Sequence, residues 1–342
     1  MVIDQLEMFV IAPNSPTLSA DAIAIRYGED LTDRSLTTVV VVDSGRSQST
    51  SGKVQDIVNT VFKTDTVDLI VSTHADQDHA GGIPYLLNNL TVGQVWVHRP
   101  QDHHLANQEP ITASMTDIRD ILTTATKRGV PVNEPFSDSL EHEFEGLHIL
   151  GPSSAYYENL MRRGMFEEEE LELLKELNDS VQASMGDGAP GLRTAPTTSL
   201  RNNSSTVLLL KLQSVQLLLT GDAGVEAFES ARPNFEGVGY DPTRSIIQLP
   251  HHGSRNNLNP ETSRLLLGSG SQETRAFVSA AREDRYGFPH IEVTDEFIRA
   301  GRKIPRPAGK HLRYAQNCPH DRPDEYQPVA EDRYIRPSCE PD

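Results

Sequence analysis

One stretch constrains this chain more than any other. Residues 73–82 read Thr-His-Ala-Asp-Gln-Asp-His-Ala-Gly-Gly. His74, Asp76, Asp78 and His79 fall within six residues, directly after an apolar run at 67–72 that reads as a buried strand. A short loop carrying two imidazoles and two carboxylates brings like charges together unless a cation neutralises them. His nitrogen and carboxylate oxygen are both ordinary ligands for zinc, manganese or iron. Gly81 and Gly82 follow, with no side chains to crowd the loop.

The rest of the chain must hold that loop on a scaffold. Short apolar runs bounded by turn residues recur at 6–12, 22–27, 37–42, 94–98, 206–212, 215–220, 246–250 and 276–280, and each reads as a strand. Helical patterns fall at 53–62, 79–90, 112–128, 153–177, 225–229 and 292–300. Hairpins come first, then strand–helix alternation, then hairpins again. That order predicts a mixed α/β domain of two sheets or one large mixed sheet. The charged stretch around Glu167 to Glu170 reads as a solvated helix face, and 186–203 as a long loop. Residues 305–342 hold seven of the 22 prolines and read as an extended C-terminal tail.

Composition removes several classes. Hydrophobic residues at 37% and charged residues at 23% exclude a disordered chain, and no apolar run approaches the roughly 18 residues of a membrane span. Met1 to Pro16 lacks Lys and Arg, so no secretory leader is read there, and the expected location is cytoplasmic. Two cysteines, Cys318 and Cys339, exclude a disulfide framework and a cysteine-built zinc site. The net charge of −18 argues against non-specific coating of nucleic acid, though not against a local cationic groove. The stretch from Gly45 to Lys53 superficially suggests a phosphate-binding loop, but its glycine spacing is too long and Val54 replaces the Ser/Thr such a loop needs.

Three further motifs follow in order. A hairpin leads into Thr220, Gly221 and Asp222; a strand leads into His251, His252, Gly253 and Ser254; and Tyr286, Gly287, Phe288, Pro289 and His290 follow a last strand. With the loop at 74–82, this series resembles the metallo-β-lactamase fold superfamily. Asp76, where that superfamily usually has His, is similar to the ComEC-type competence branch and to phosphorylcholine esterase-like relatives. The opening segments at Ala20 to Gly28 and Val42 to Gly45 also resemble that branch.

The resemblance covers about residues 1–305 and implies an αββα sandwich of two mixed sheets flanked by helices. It implies a hydrolase domain over 1–305, with a helical insert and long loop at 153–203, and a Pro-rich tail at 306–342. The implied metal ligands are His74, Asp76, Asp78, His79, Asp222 and His252, with Asp222 bridging two positions. His251 is placed in the outer position and His290 on the substrate side, so that Asp78, His251 and His290 form the implied catalytic set. One departure is clear: the superfamily usually supplies another His before the Thr-Gly-Asp hairpin, and residues 201–205 hold none. The first metal position is left with His74, Asp76 and Asp222.

The expected cofactors are one or two divalent ions, Zn or Mn. Three aspartates against two such ions leave the site at about +1, which attracts an anion despite the acidic surface. The expected activity is metal-activated water attacking a phosphodiester, as in a phosphodiesterase or nuclease. The partner is then an anionic phosphoester, nucleic acid among the candidates, with no membrane partner; oligomeric state is left open. The alternatives are hydrolysis of carboxylic esters, lactones or thioesters on the same metals, and a catalytically weak binding or regulatory domain.

Overall fold

The computed structural model describes residues 2–103, 115–139, 144–166, 191–268, 274–307, 309–319 and 335. Thirteen strands are found among them, and they build two mixed sheets. The first sheet contains β1 (Gln5–Val10), β2 (Ala22–Gly28), β3 (Thr37–Ser44), β4 (Thr66–Val71), β5 (Thr91–Trp96), β6 (Val132–Asn133) and, beyond β1, β13 (Leu312–Gln316). The second contains β7 (Leu147–Gly151), β8 (Val207–Lys211), β9 (Gln216–Leu219), β10 (Ser245–Gln248), β11 (Thr274–Phe277) and β12 (Arg302–Lys303).

Each sheet joins an antiparallel half to a parallel half. β13, β1, β2 and β3 pair antiparallel, and β3 to β6 run parallel. β7, β8 and β9 pair antiparallel, and β9 to β12 run parallel. The strands are apolar on both faces because both faces are covered. Leu6, Met8 and Val10 of β1 pack with Leu208, Leu217 and Ile246 between the sheets, whereas Phe9 turns the other way, toward helices. The outer face of the first sheet carries the helices Gln48–Asp56, Ile83–Asn89 and Thr116–Arg128 through Val54, Leu86, Ile121 and their neighbours. Val225–Gly237, Pro260–Leu267 and Ile291–Arg299 cover the second sheet through Phe228, Leu266 and Phe297. The architecture is the expected one of two mixed sheets flanked by helices.

Three differences from the sequence reading have physical causes. The helix expected over 225–229 runs to Gly237 with Pro233 inside it. Ala227, Phe228, Ala231 and Phe235 bury one face of it, which outweighs the hydrogen bond that Pro233 cannot make. The very short β6 and β12 have no apolar run to announce them. Finally, the segment expected as a tail supplies β13, an edge strand of the first sheet. The Glu167 to Glu170 stretch and most of the expected loop at 186–203 lie outside the described residues. Among the described residues no helix is long and apolar enough to cross a membrane.

Candidate metal centre

The motifs converge at the C-terminal ends of β3, β4, β9 and β10, where a parallel half-sheet from each side of the sandwich ends. A backbone hydrogen bond from Thr206 N to Thr73 O (2.9 Å) ties the two sheets together there.

The loop after β4 is held from below by Asp43 at the end of β3. Asp43 accepts from Thr73 N (2.8 Å) and Thr73 Oγ1 (2.7 Å), and its Oδ2 lies 2.7 Å from His79 Nδ1. Asp43 has a positive φ of 55°, a conformation that costs a non-glycine residue about 1 kcal/mol or more. The contacts it makes justify that strain. Asp76 has extended backbone and precedes the short helix Gln77–Ala80, but its carboxylate caps no N–H and stays available to the site. Gly82 closes the loop because a Cβ there would lie 2.0 Å from Ser51 Oγ and 2.5 Å from Ser44 O.

Asp222 stands at the middle of the cluster, nearly buried. Its Oδ1 is 3.3 Å from His79 Nε2, and its Oδ2 is 3.8 Å from His74 Nε2 and 3.6 Å from His251 Nε2. His74 Nε2 is also 3.5 Å from Asp76 Oδ2, and His252 Nε2 is 3.4 Å from Asp78 Oδ2. Asp78 is paired with Arg46 (2.9 Å), and Asp76 with Arg201 (3.2 Å). All six expected ligands are therefore brought together.

His251 and His252 are consecutive residues at positive φ, 47° and 53°, and their rings are 5.8 Å apart and inclined at 59°. Gly253 follows at φ 85°, where a Cβ would strike Pro289 at 2.5 Å. Phe288 packs against both histidine rings and, on another side, against His290. His290 precedes the helix Ile291–Arg299 and accepts the Arg255 N–H at Nδ1 (3.3 Å). Its ring is therefore held by this loop across Phe288.

Asp21 is a site residue that the sequence reading placed only in an opening hairpin. It is 1% exposed, and its backbone is clamped to the site: Asp21 N donates to Asp78 O (3.1 Å) and Gly45 N donates to Asp21 O (2.8 Å). Its Oδ2 is 3.8 Å from His79 Nδ1 and 4.0 Å from His252 Nδ1. Ligand atoms of Asp21, His79, Asp222 and His252 all lie within 4.8 Å of one another. The available signal was an acid directly before the apolar run Ala22–Ile25.

The electrostatics show how strongly these groups depend on one another. Burial pushes Asp222 up, yet His79 and His251 hold it well below the usual carboxylate range. Burial likewise opposes the charged form of Asp78, but His252, His79 and Arg46 hold it low. Burial pushes the His79 ring down, while Asp222 and Asp43 raise it well above its ordinary value. Asp21 is the exception: burial raises it, and His252 and His79 only partly offset this. The residues fit a metal. His74 Nε2, His79 Nε2, Asp222 Oδ1, both carboxylate oxygens of Asp21 and His252 Nδ1 are buried with no hydrogen-bond partner, and buried polar atoms are rarely left so.

Comparison with known proteins identifies the family of this chain. The sequence profile described as the metallo-beta-lactamase superfamily matches residues 35–268. The chain is 24% identical over 233 residues to ComE operon protein 3 of Bacillus subtilis (strain 168). That match covers 66% of this chain and 22% of the relative's length, so the chain spans less than a quarter of the protein it resembles. A metallo beta lactamase from Hirschia baltica is similar at 13% identity over 69% of this chain and 87% of that one, with a TM-score of 0.33. A diphosphatase from the PhnP family is similar at 10% identity over 91% and 98%, with a TM-score of 0.37. The profile runs from the strand that carries Asp43 to beyond the paired histidines of the second sheet, and the chain belongs to the metallo-beta-lactamase superfamily.

Proposed function

We propose that this chain is a divalent-metal-dependent hydrolase of phosphate esters, with phosphodiesters as its substrate class and nucleic acid among the candidates. The observation that carries the reading is the paired arrangement about Asp222, with the His79 imidazole on Oδ1, those of His74 and His251 on Oδ2, and the Asp76 carboxylate against His74. That donor set, rich in oxygen and free of sulfur, suits Zn²⁺ or Mn²⁺. Divalent ions bound there would acidify a water and polarise a phosphoryl oxygen.

The chain's own groups would do the positioning. Asp43 holds the Nδ1 side of His79, leaving Nε2 to face Asp222. Arg46 and Arg201 fix Asp78 and Asp76 and place positive charge beside the site of an otherwise acidic molecule, which favours an anionic substrate. Phe288 shields the paired histidines from solvent, and His290 would line the substrate side next to it.

The test is turnover of bis-p-nitrophenyl phosphate by the purified full chain with added Mn²⁺ or Zn²⁺. Asp78→Ala and His252→Ala should each reduce it by about 100-fold or more while the metal-free chain remains folded. Full activity in both variants would sink the assignment. Turnover confined to esters or lactones would move the reading to carbonyl substrates.

A further inference from the structure

Asp222 divides the cluster, and the two adjacent histidines fall on opposite sides of it. His252 faces Asp78. His251 turns its Nε2 to Asp222 Oδ2, the oxygen that His74 also faces. From the sequence this half of the cluster has three donors, His74, Asp76 and Asp222, because residues 201–205 hold no histidine.

Asn257 sets the protonation of His251. The Asn257 amide donates from Nδ2 to the backbone oxygens of Asp222 (2.8 Å) and Ala223 (3.3 Å), which fixes which end of it is oxygen. Asn257 Oδ1, 3.0 Å from His251 Nδ1, is therefore an acceptor, and Nδ1 carries the proton. A neutral His251 ring then keeps a lone pair on Nε2, 3.6 Å from a carboxylate oxygen. Two lone pairs at that range repel, and a proton or a metal ion between them removes the repulsion. Asn202, within the stretch that lacks the histidine, contacts the same ring nitrogen through Nδ2 (3.2 Å) and also reaches Thr198 Oγ1 (2.8 Å).

Three of the donor spacings suit a small ion. Asp222 Oδ2 to His251 (3.6 Å), Asp222 Oδ2 to His74 (3.8 Å) and His74 to Asp76 Oδ2 (3.5 Å) lie near the edge of roughly 3.4 Å expected for tetrahedral donors about 2.1 Å from a divalent cation. Arg201 occupies the other oxygen of Asp76, Oδ1, and leaves Oδ2 turned inward. His74 Nδ1 is occupied by Thr73 Oγ1 and Ser205 Oγ, which leaves its Nε2 for the site.

We propose that His251, through Nε2, is the fourth donor of a divalent-cation position formed with His74, Asp76 and Asp222, replacing the histidine absent from residues 201–205. His252 serves the other position, with Asp78 and His79. The inference rests on the metal-hydrolase reading for the presence of metal, and not on any substrate.

Metal content of the purified full chain, equilibrated with Zn²⁺ and desalted, tests it without an activity assay. The wild type should hold about two ions per chain and His251→Ala about one. Two ions retained in His251→Ala would overturn the proposal. One ion in both proteins would overturn it as well, while leaving the hydrolase reading standing; no ion in the wild type would overturn both. If His251→Ala does not fold, anomalous diffraction from wild-type crystals grown with Mn²⁺ decides the matter. A peak within about 2.4 Å of His251 Nε2 supports the assignment, and peaks only beside Asp78 and His79 refute it.

Discussion

His98 shows how a single residue can acquire a property that its sequence context hides. It lies singly just beyond β5. In the fold it is stacked on Tyr157 (ring centroids 4.5 Å), packed against Phe136 (4.9 Å), and within 3.3 Å of Thr206 Oγ1. Burial, with smaller contributions from His103 and His74, pushes its pKa down to about 3. The unfolded chain binds a proton at this residue below about pH 6.5, whereas the folded chain resists it until about pH 3. Between those values the unfolded state holds more protons, so stability falls as the pH is lowered, by up to about 1.4 kcal/mol per pH unit from this group. His98→Gln should flatten the dependence by that amount relative to wild type, measured by urea unfolding of the metal-free chain from pH 4 to 7. An unchanged slope would show that the ring is not held neutral. At the same scale, Asp43, His251 and His252 are three of the five described non-glycine residues with positive φ. Strain concentrated at a site is the local rule broken where function requires it.

Among the elements, the loop from β4 to the helix Ile83–Asn89 was the most legible part of the chain. Its ligand-type residues are consecutive enough that no long-range information was needed to group them. Its tightness was not legible. Ser51 Oγ is hydrogen-bonded to both Ser44 Oγ (2.7 Å) and Gly82 O (2.9 Å), so a methyl group at residue 82 would enter a filled space. Gly82→Ala should cost about 1–3 kcal/mol by thermal or urea unfolding. A cost near zero would show that the Ser51 side chain yields. The helix Val225–Gly237 illustrates the opposite error: Pro233 is a legitimate stop signal locally, and only burial against the second sheet overrides it.

At the scale of the whole molecule, the two ends of the described chain meet in one sheet. β1 takes β2 on one side and β13 on the other, and Glu7 at its centre is fully buried. Glu7 Oε2 bonds Arg26 Nη2 (2.6 Å) and Nε (3.0 Å), while Oε1 bonds Arg313 Nε (2.8 Å). One carboxylate thus joins three strands drawn from residues more than 300 apart. Removing it leaves two guanidinium groups in the interior without their shared partner. Glu7→Ala should therefore destabilise the chain by about 3–5 kcal/mol in denaturant unfolding. A loss below about 1 kcal/mol would mean that water already reaches these groups.

The sequence by itself determined the mixed α/β class, most strand positions and the candidate ligands, because short apolar runs and clustered ligand residues are written locally. Tertiary structure decided the rest. It added Asp21, whose neighbours His79 and His252 lie 58 and 231 positions away along the chain. It sent the adjacent His251 and His252 to opposite sides of Asp222, through two left-handed backbone conformations that no residue type announces. It turned part of an expected tail into an edge strand through pairing with β1. The physical reason is common to all three: direction and partnership at a site depend on backbone dihedrals and on long-range packing, neither of which leaves a periodic trace in the chain.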